Sequence, residues 1–283
     1  MKLNQLSDHV YWLPPDASTD RPVLGVVVGR RGSLLVDAGN SPAHARLLLS
    51  EIERLGLASP RFAVLTHWHW DHVFGTAALA LPTFASAETQ RIVRHMAGLD
   101  WSDAALEARV AAGEEIEFCR DMIKAELPDR RGLVIVPPEI AFTGEVVLDL
   151  GGVHCQLIHV GGDHAADSVV VCVPEERALF LSDAISPNLY HRPPCYTRER
   201  VIALFDQLLA CPADTYLAGH APQPMSRADI ADYGQQLRRA ADVVQQHYPN
   251  KEASLAALEA TVGRPLTADE REDIDLFLAG MGD

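Results

Sequence analysis

Thr66-His67-Trp68-His69-Trp70-Asp71-His72 is the stretch whose reading decides the fold of this chain. His67, His69, Asp71 and His72 fall within six residues, directly after the short apolar run 61–65, which reads as a strand. Neutral imidazole and carboxylate are, apart from thiolate, the usual protein ligands of zinc, and a catalytic zinc keeps an open position for water. In an extended segment, residues two apart face the same way. His67, His69 and Asp71 are therefore expected to converge on one side while His72 turns elsewhere, an arrangement that serves two adjacent ions. A solvated loop, or core histidines with ordinary hydrogen bonds, accounts for one such residue but not for the set.

Working outward, short apolar runs and helical periodicities interleave. Residues 10–13, 23–28 and 33–36 read as strands, the last ending in the turn Asp37-Ala38-Gly39-Asn40. Residues 42–55 read as a helix: Leu47, Leu48, Ile52 and Leu55 recur at helical spacing, with Ser41 as N-cap and Pro42 at the first helical position. A small-residue helix is expected to follow the cluster through Ala80. Residues 86–126 are mostly helical in pattern, and Pro137-Pro138 closes the run 133–136, so the stretch 86–138 reads as a helical cap or insertion.

The second half returns to strands at 146–150, 153–160, 168–173 and 178–181. His164 follows the turn Gly161-Gly162-Asp163, Asp183 follows Leu179-Phe180-Leu181, and His220 follows the run 215–219. Helices are expected at 198–209, 227–247 and 268–278, the last capped by Thr267. Two similar halves of interleaved elements favour a layered α/β architecture. The expected organisation is a main domain over 1–225 with a C-terminal helical extension, 226–283, that packs on it or mediates a homodimer.

With 48% hydrophobic and 22% charged residues, the composition is that of an ordinary globular protein. The net charge of -15 opposes nonspecific binding to extended nucleic acid. Met1 to Asp8 lacks a basic segment followed by an apolar one, and no apolar run approaches the ~18 residues of a membrane span, so a cytoplasmic protein without membrane association is expected. Cys119, Cys155, Cys172, Cys195 and Cys211 form an odd set without a Cys-x-x-Cys pair and are expected as buried thiols. His9, His44, His95, His154, His159, His191 and His247 show no ligand spacing and are expected in surface or ordinary hydrogen-bonding roles.

The His-x-His-x-Asp-His stretch resembles that of the metallo-β-lactamase superfamily. Val36-Asp37-Ala38-Gly39 looks like the family's early strand-end aspartate and Gly162-Asp163-His164-Ala165-Ala166-Asp167-Ser168 like its third-ligand motif. Leu181-Ser182-Asp183 and Ala218-Gly219-His220 look like the last two, so five motifs stand in family order over roughly 200 residues. The resemblance implies a four-layer αβ/βα sandwich with its site in a shallow cleft at the strand ends. It implies that His67, His69 and His164 hold one metal, that Asp71, His72 and His220 hold the other, and that Asp183 bridges them. A carboxylate is able to offer one oxygen to each of two cations, whereas an imidazole nitrogen has one lone pair. The cofactors so implied are two zinc ions, with iron or manganese as alternatives. Two departures stand out: the third motif differs from the common Pro-Gly-His-Thr-x-Gly-Ser, and an aspartate at the bridging position is typical of the glyoxalase II, lactonase and nuclease branches rather than of true β-lactamases.

Two dications, less two carboxylates and one bridging hydroxide, leave one formal positive charge, which suits an anionic substrate or an oxyanion. The expected function is hydrolysis of a carboxylic ester, thioester or lactone in a small-molecule substrate, with that hydroxide as nucleophile. Asp71 is a candidate to accept or relay a proton as well as a ligand. Trp68, Trp70, Tyr190, His191 and Arg192 are candidates to line the cleft. Alternatives are a phosphodiesterase, a β-lactamase, a mononuclear iron oxygenase of the same superfamily, or a non-catalytic metal-binding protein.

Overall fold

A strand apolar along its whole length needs a covering layer on each face. Val169–Val173 and Ala178–Ser182 are such strands, and every residue in both is buried in the computed structural model, which describes residues 1–282. Two sheets provide the layers. The first holds, in order, β1 (Asn4–Gln5), β2 (Val10–Leu13), β3 (Leu24–Gly29), β4 (Gly32–Val36), β5 (Pro60–Val64), β6 (Thr83–Ser86) and β7 (Ile140–Phe142). Its first four strands pair antiparallel, and β4 to β7 pair parallel through helical crossovers. The second sheet runs from β8 (Glu145–Asp149) through β9 (His154–His159), β10 (Val169–Val173), β11 (Ala178–Ser182) and β12 (Thr215–Ala218) to β13 (Met225–Ser226), with only β11 and β12 parallel.

Ten helices flank the sheets among the described residues: α1 (Pro42–Leu55), α2 (Trp70–Val73), α3 (Thr76–Leu79), α4 (Ala87–Met96), α5 (Asp103–Ala112), α6 (Glu117–Glu126), α7 (Arg198–Ala210), α8 (Arg227–His247), α9 (Lys251–Val262) and α10 (Ala268–Gly280). Local chemistry sets several of their ends. Ser41 accepts from the His44 amide with Pro42 in the first turn of α1, and Ser226 with Asp229 closes a capping box on α8.

Three apolar clusters define four layers. Val27, Leu34, Leu157, Val171 and Phe180 fill the space between the sheets. Leu48 and Ile52 of α1, with Val93, Leu106 and Ile123 of α4 to α6, cover the outer face of the first sheet. Leu204, Phe205, Leu237, Leu258 and Ile274 of α7 to α10 cover that of the second. The alternation along β10 shows how one strand serves two layers, with Val169, Val171 and Val173 facing the other sheet and Val170 and Cys172 facing the helices. This is the αβ/βα sandwich that the motifs imply.

Within residues 87–126, α4, α5 and α6 are joined by short turns and share one apolar cluster with α1. The run 133–136 forms no strand; the seventh strand comes later, at β7, once Pro137 and Pro138 have passed. The small-residue helix splits into α2 and α3 at Gly75, where a Cβ would lie 1.9 Å from the Ala38 carbonyl oxygen. That close approach holds the 37–39 turn against the metal-ligand stretch, with hydrogen bonds from Ala38 N to His72 O (2.9 Å) and Gly75 N to Gly39 O (3.0 Å). Among the described residues, no helix is long and apolar enough to cross a membrane.

Candidate metal centre

The chain leaves β5 at Val64, runs irregularly through His67 and Trp68, and enters α2 at Trp70. Strand alternation therefore stops before Asp71. The expectation that Asp71 shares a face with His67 and His69 is corrected: it lies on the same helical turn as His72 and joins that residue's group. One group is His67, His69 and His164, and the other is Asp71, His72, Asp183 and His220, with the donor atoms in each group within 4.8 Å of one another. Asp183 follows β11 directly and His220 stands two residues past β12, so both groups draw side chains from the ends of both sheets.

The donor chemistry fits cations. His67 Nε2, His69 Nε2 and His164 Nε2 are buried and have no hydrogen-bond partner, a costly state for three converging nitrogens unless something accepts their lone pairs. Asp183 Oδ2 faces both groups, at 3.9 Å from His67 Nε2, 3.5 Å from His164 Nε2, 3.2 Å from His72 Nε2 and 3.4 Å from His220 Nε2. Oδ2 is thus the oxygen of Asp183 nearest both groups, while Oδ1 is packed against Gly219, where a Cβ would lie 2.0 Å from it.

Electrostatics divide the groups further. Burial, reinforced by neighbouring imidazoles, holds His67 and His69 well below the ordinary range, and burial lowers His164 as well, so all three stay neutral and able to ligate. In the other group burial opposes charge, but the partners outweigh it. Asp71, Asp37 and Asp183 lift His72 well above its ordinary value, and Asp183 and Asp71 raise His220 to about 11. His72 and His220 in turn hold Asp71 and Asp183 well below the carboxylate range. These four residues would hold a cation only with both imidazoles deprotonated, so binding there would release protons.

An outer ring of residues aims the donors. Asp37 accepts from His72 Nδ1 (2.8 Å), from Thr66 N (2.7 Å) and from Thr66 Oγ1 (2.9 Å), and Thr66 Oγ1 also meets His67 Nδ1 at 3.1 Å. His164 Nδ1 faces the Pro187 carbonyl at 3.2 Å. With each Nδ1 so engaged, Nε2 carries the lone pair toward the centre. Asp20, not singled out in the sequence, stands 3.4 Å from His220 Nδ1, and burial together with Asp71 pushes its carboxyl up to about 7. Its only sequence signal is position in a loop distant from every motif. His44, expected in an ordinary role, is instead fully buried with neither ring nitrogen bonded, and burial lowers it to about 3.

Trp68 and Tyr190 lie against the centre, their rings 4.5 and 5.3 Å from that of His69. Trp70 is directed away from it, buried against Phe74 at 5.6 Å. Arg192 donates to the Glu115 carbonyl at 3.2 Å and His191 Nδ1 bonds the Pro193 carbonyl.

A linear primary-alkylsulfatase of Pseudomonas sp. (strain ATCC 19151) is 23% identical over 69% of this chain, and a metallo-beta-lactamase type 2 of Bacteroides fragilis is 24% identical over 64%. The chain spans 40% of the first relative's length and 61% of the second's. Among solved structures, a metallo-beta-lactamase family protein from Thermus thermophilus superposes with a TM-score of 0.59 at 20% identity, covering 97% of this chain and 92% of that one. A metallo-beta-lactamase from Pontibacter korlensis gives 0.57 at 19%, covering 83% and 97%. These likenesses show the fold. The family model described as the metallo-beta-lactamase superfamily matches residues 19–220, a span that takes in both halves of the donor set, and the chain belongs to that superfamily.

Proposed function

We propose that this protein is a binuclear metal-dependent hydrolase of a carboxylic ester, thioester or lactone. The observation that carries this reading is Asp183 Oδ2, set between three orphaned imidazole nitrogens on one side and Asp71, His72 and His220 on the other. His67, His69 and His164 hold one cation in this reading, Asp71, His72 and His220 the second, and Asp183 both. When bound, such a pair supplies Lewis acidity and brings the pKa of water down to about 7, with zinc the leading choice.

The chain's own residues do the rest. Asp37 and Thr66 fix the tautomers of His72 and His67, and Asp20 holds Nδ1 of His220. Asp71 fits the ligand role better than that of proton carrier: despite burial, His72 and His220 hold its carboxyl low, which makes it a weak base. Tyr190 turns its hydroxyl away from the centre to Glu115 Oε1 at 2.9 Å and offers its ring. The aromatic wall of Trp68 and Tyr190 and the net charge of -15 both favour a small carbonyl compound over a polyanion.

The test is metal content of protein purified without added metal, paired with turnover of a chromogenic ester, a thioester, a lactone, an alkyl sulfate, a phosphodiester and a β-lactam. About two zinc equivalents with turnover of a carbonyl substrate supports the proposal. One iron equivalent with no hydrolysis sinks it in favour of an oxygenase. Metal-loaded protein inert towards the whole panel points to a non-catalytic metal-binding protein.

A further inference from the structure

A cavity of about 290 Å³ lies beside the candidate metal centre, its apolar wall built by Trp68, Trp70, Trp101 and Tyr190 and its rim carrying the carboxylates Glu114 and Glu115. One ring separates it from the donor groups, because Trp68 and Tyr190, which line it, both lie against His69, Trp68 edge-on at 85° and Tyr190 tilted at 47°. Its size sits near the ~300 Å³ lower end of small-molecule clefts.

The apolar wall is broken by donors that nothing in the protein satisfies. Arg109 of α5 also lines the cavity. Its Nη1 donates to the Asp100 carbonyl at 2.8 Å and its guanidinium lies 4.6 Å over the Trp101 ring, but Nε and Nη2 are buried without a partner, as is Nε1 of Trp70. Nε and Nη2 are the two atoms of one guanidinium edge, whose parallel N–H bonds match the two oxygens of a carboxylate. Among the described residues no carboxylate is in hydrogen-bond contact with Arg109, whose charge acts on Glu115 and Asp100 only across space. Glu115, in the same cavity, is engaged instead by the Ile116 amide and the Tyr190 hydroxyl, each at 2.9 Å. A buried, charged donor edge left unpaired is costly, which argues for a ligand that completes it.

We propose that this cavity receives the acyl part of the substrate and that this part carries a free carboxylate. An aromatic or branched apolar chain packs against Trp68, Trp70 and Trp101, its carboxylate is gripped by Nε and Nη2 of Arg109, and its scissile carbonyl reaches past Trp68 and Tyr190 to the cations. The substrate is thus a half-ester or half-thioester of a dicarboxylic acid. Water adds across the acyl bond, leaving the dicarboxylic acid and an alcohol or thiol. The acyl assignment rests on the hydrolase reading; the carboxylate site does not.

Binding is therefore tested apart from turnover. Three of the four tryptophans line the cavity, so intrinsic fluorescence reports its occupancy. Saturable quenching by 3-phenylpropionate is expected, with binding at least about tenfold weaker for 3-phenylpropionamide and for R109Q, the loss of one charge-assisted bidentate contact. R109K, which keeps the charge and loses the fork, is expected between wild type and R109Q. In turnover, the preference for a phenylsuccinate half-thioester over its methyl ester should fall by about the same factor in R109Q. Equal binding of acid and amide overturns the proposal. So does carboxylate binding that survives in R109Q and vanishes on chelation, which places the ligand on the cations. Arg109-dependent binding in a protein that turns over no acyl substrate overturns the hydrolase reading and the acyl assignment while retaining the carboxylate site.

Discussion

Replacing Asp37 with Asn tests how the outer ring governs the metal centre. Asp37 is 1% exposed and sits at φ 65°, a left-handed conformation that Asn tolerates better than most residues, so D37N keeps both volume and backbone. The amide oxygen can still accept from Thr66 N, now at 2.7 Å from Oδ1. The amide nitrogen then replaces Oδ2 and meets Nδ1 of His72, now 2.8 Å away, with two donors face to face. His72 escapes by moving its proton to Nε2, the nitrogen that points at Asp71 and Asp183 at 3.0 and 3.2 Å, and its lone pair is then lost to the cation. Disturbing an outer partner of this kind costs about 10- to 100-fold in metal affinity, or about 1.4 to 2.7 kcal/mol. The loss should fall mainly on the His72 position, since His67 meets Asp37 only through Thr66. Competition against a chromophoric chelator resolves the two binding steps, with circular dichroism as the check on folding. Unchanged affinity in both steps refutes the tautomer argument; equal loss in both, with a lowered Tm, places the effect in the fold instead.

Three further outcomes are expected. In G219A the new Cβ, 2.0 Å from Asp183 Oδ1, displaces the bridging carboxylate, and metal content by plasma mass spectrometry should fall below two per chain while far-UV circular dichroism stays native. Chelation should lower Tm by about 4 to 5 °C relative to protein with free metal at 100 times its Kd, from about 2.7 kcal/mol of linked stability; an unchanged Tm would mean that no cation stabilises the fold. Glu126 accepts from Thr19 and Ser41 at 2.5 Å and from Arg21 at 2.7 Å, and despite burial these partners lower its pKa. Its contribution is therefore present above the unfolded carboxylate pKa and lost as pH falls through the lower folded value. E126Q should cost about 3 kcal/mol at pH 7 in urea unfolding, and the gap from wild type should narrow on acidification; a gap that is independent of pH contradicts the ionic reading.

The parts of the centre that are legible in the sequence are those carried by short, dense signals. His67 to His72 crowd into one stretch, and His164, Asp183 and His220 each follow a strand whose end is visible from its apolar run. Helix α8 is legible with its bounds, because Ser226 and Asp229 mark its start and periodicity carries it through. The place of Asp71 is not, because periodicity says nothing about where an extended segment turns helical, and here that happens at Trp70. Asp20, Glu115 and Arg109 carry no local signal. Asp20 and Glu115 become informative only through partners far along the chain, such as Tyr190, 75 residues from Glu115, and Arg109 only through its place in the cavity. Helix α9 escapes a reading of the sequence, being flanked by longer patterns on both sides and having only Ser254 and Leu258 buried.

Each donor group is split between the halves of the sandwich: His67, His69, Asp71 and His72 come from the first sheet's side, and His164, Asp183 and His220 from the second's. During synthesis the early donors emerge with the first sheet, yet neither group closes until later strands have docked. The group containing His67 waits for His164, and the other waits for residue 220, near the end of the second sheet. On the proposed binuclear reading, loading with metal would thus be a late step in the life of the nascent chain, and a ribosome-bound or truncated product holding only the first half would display histidines without capturing the ion firmly.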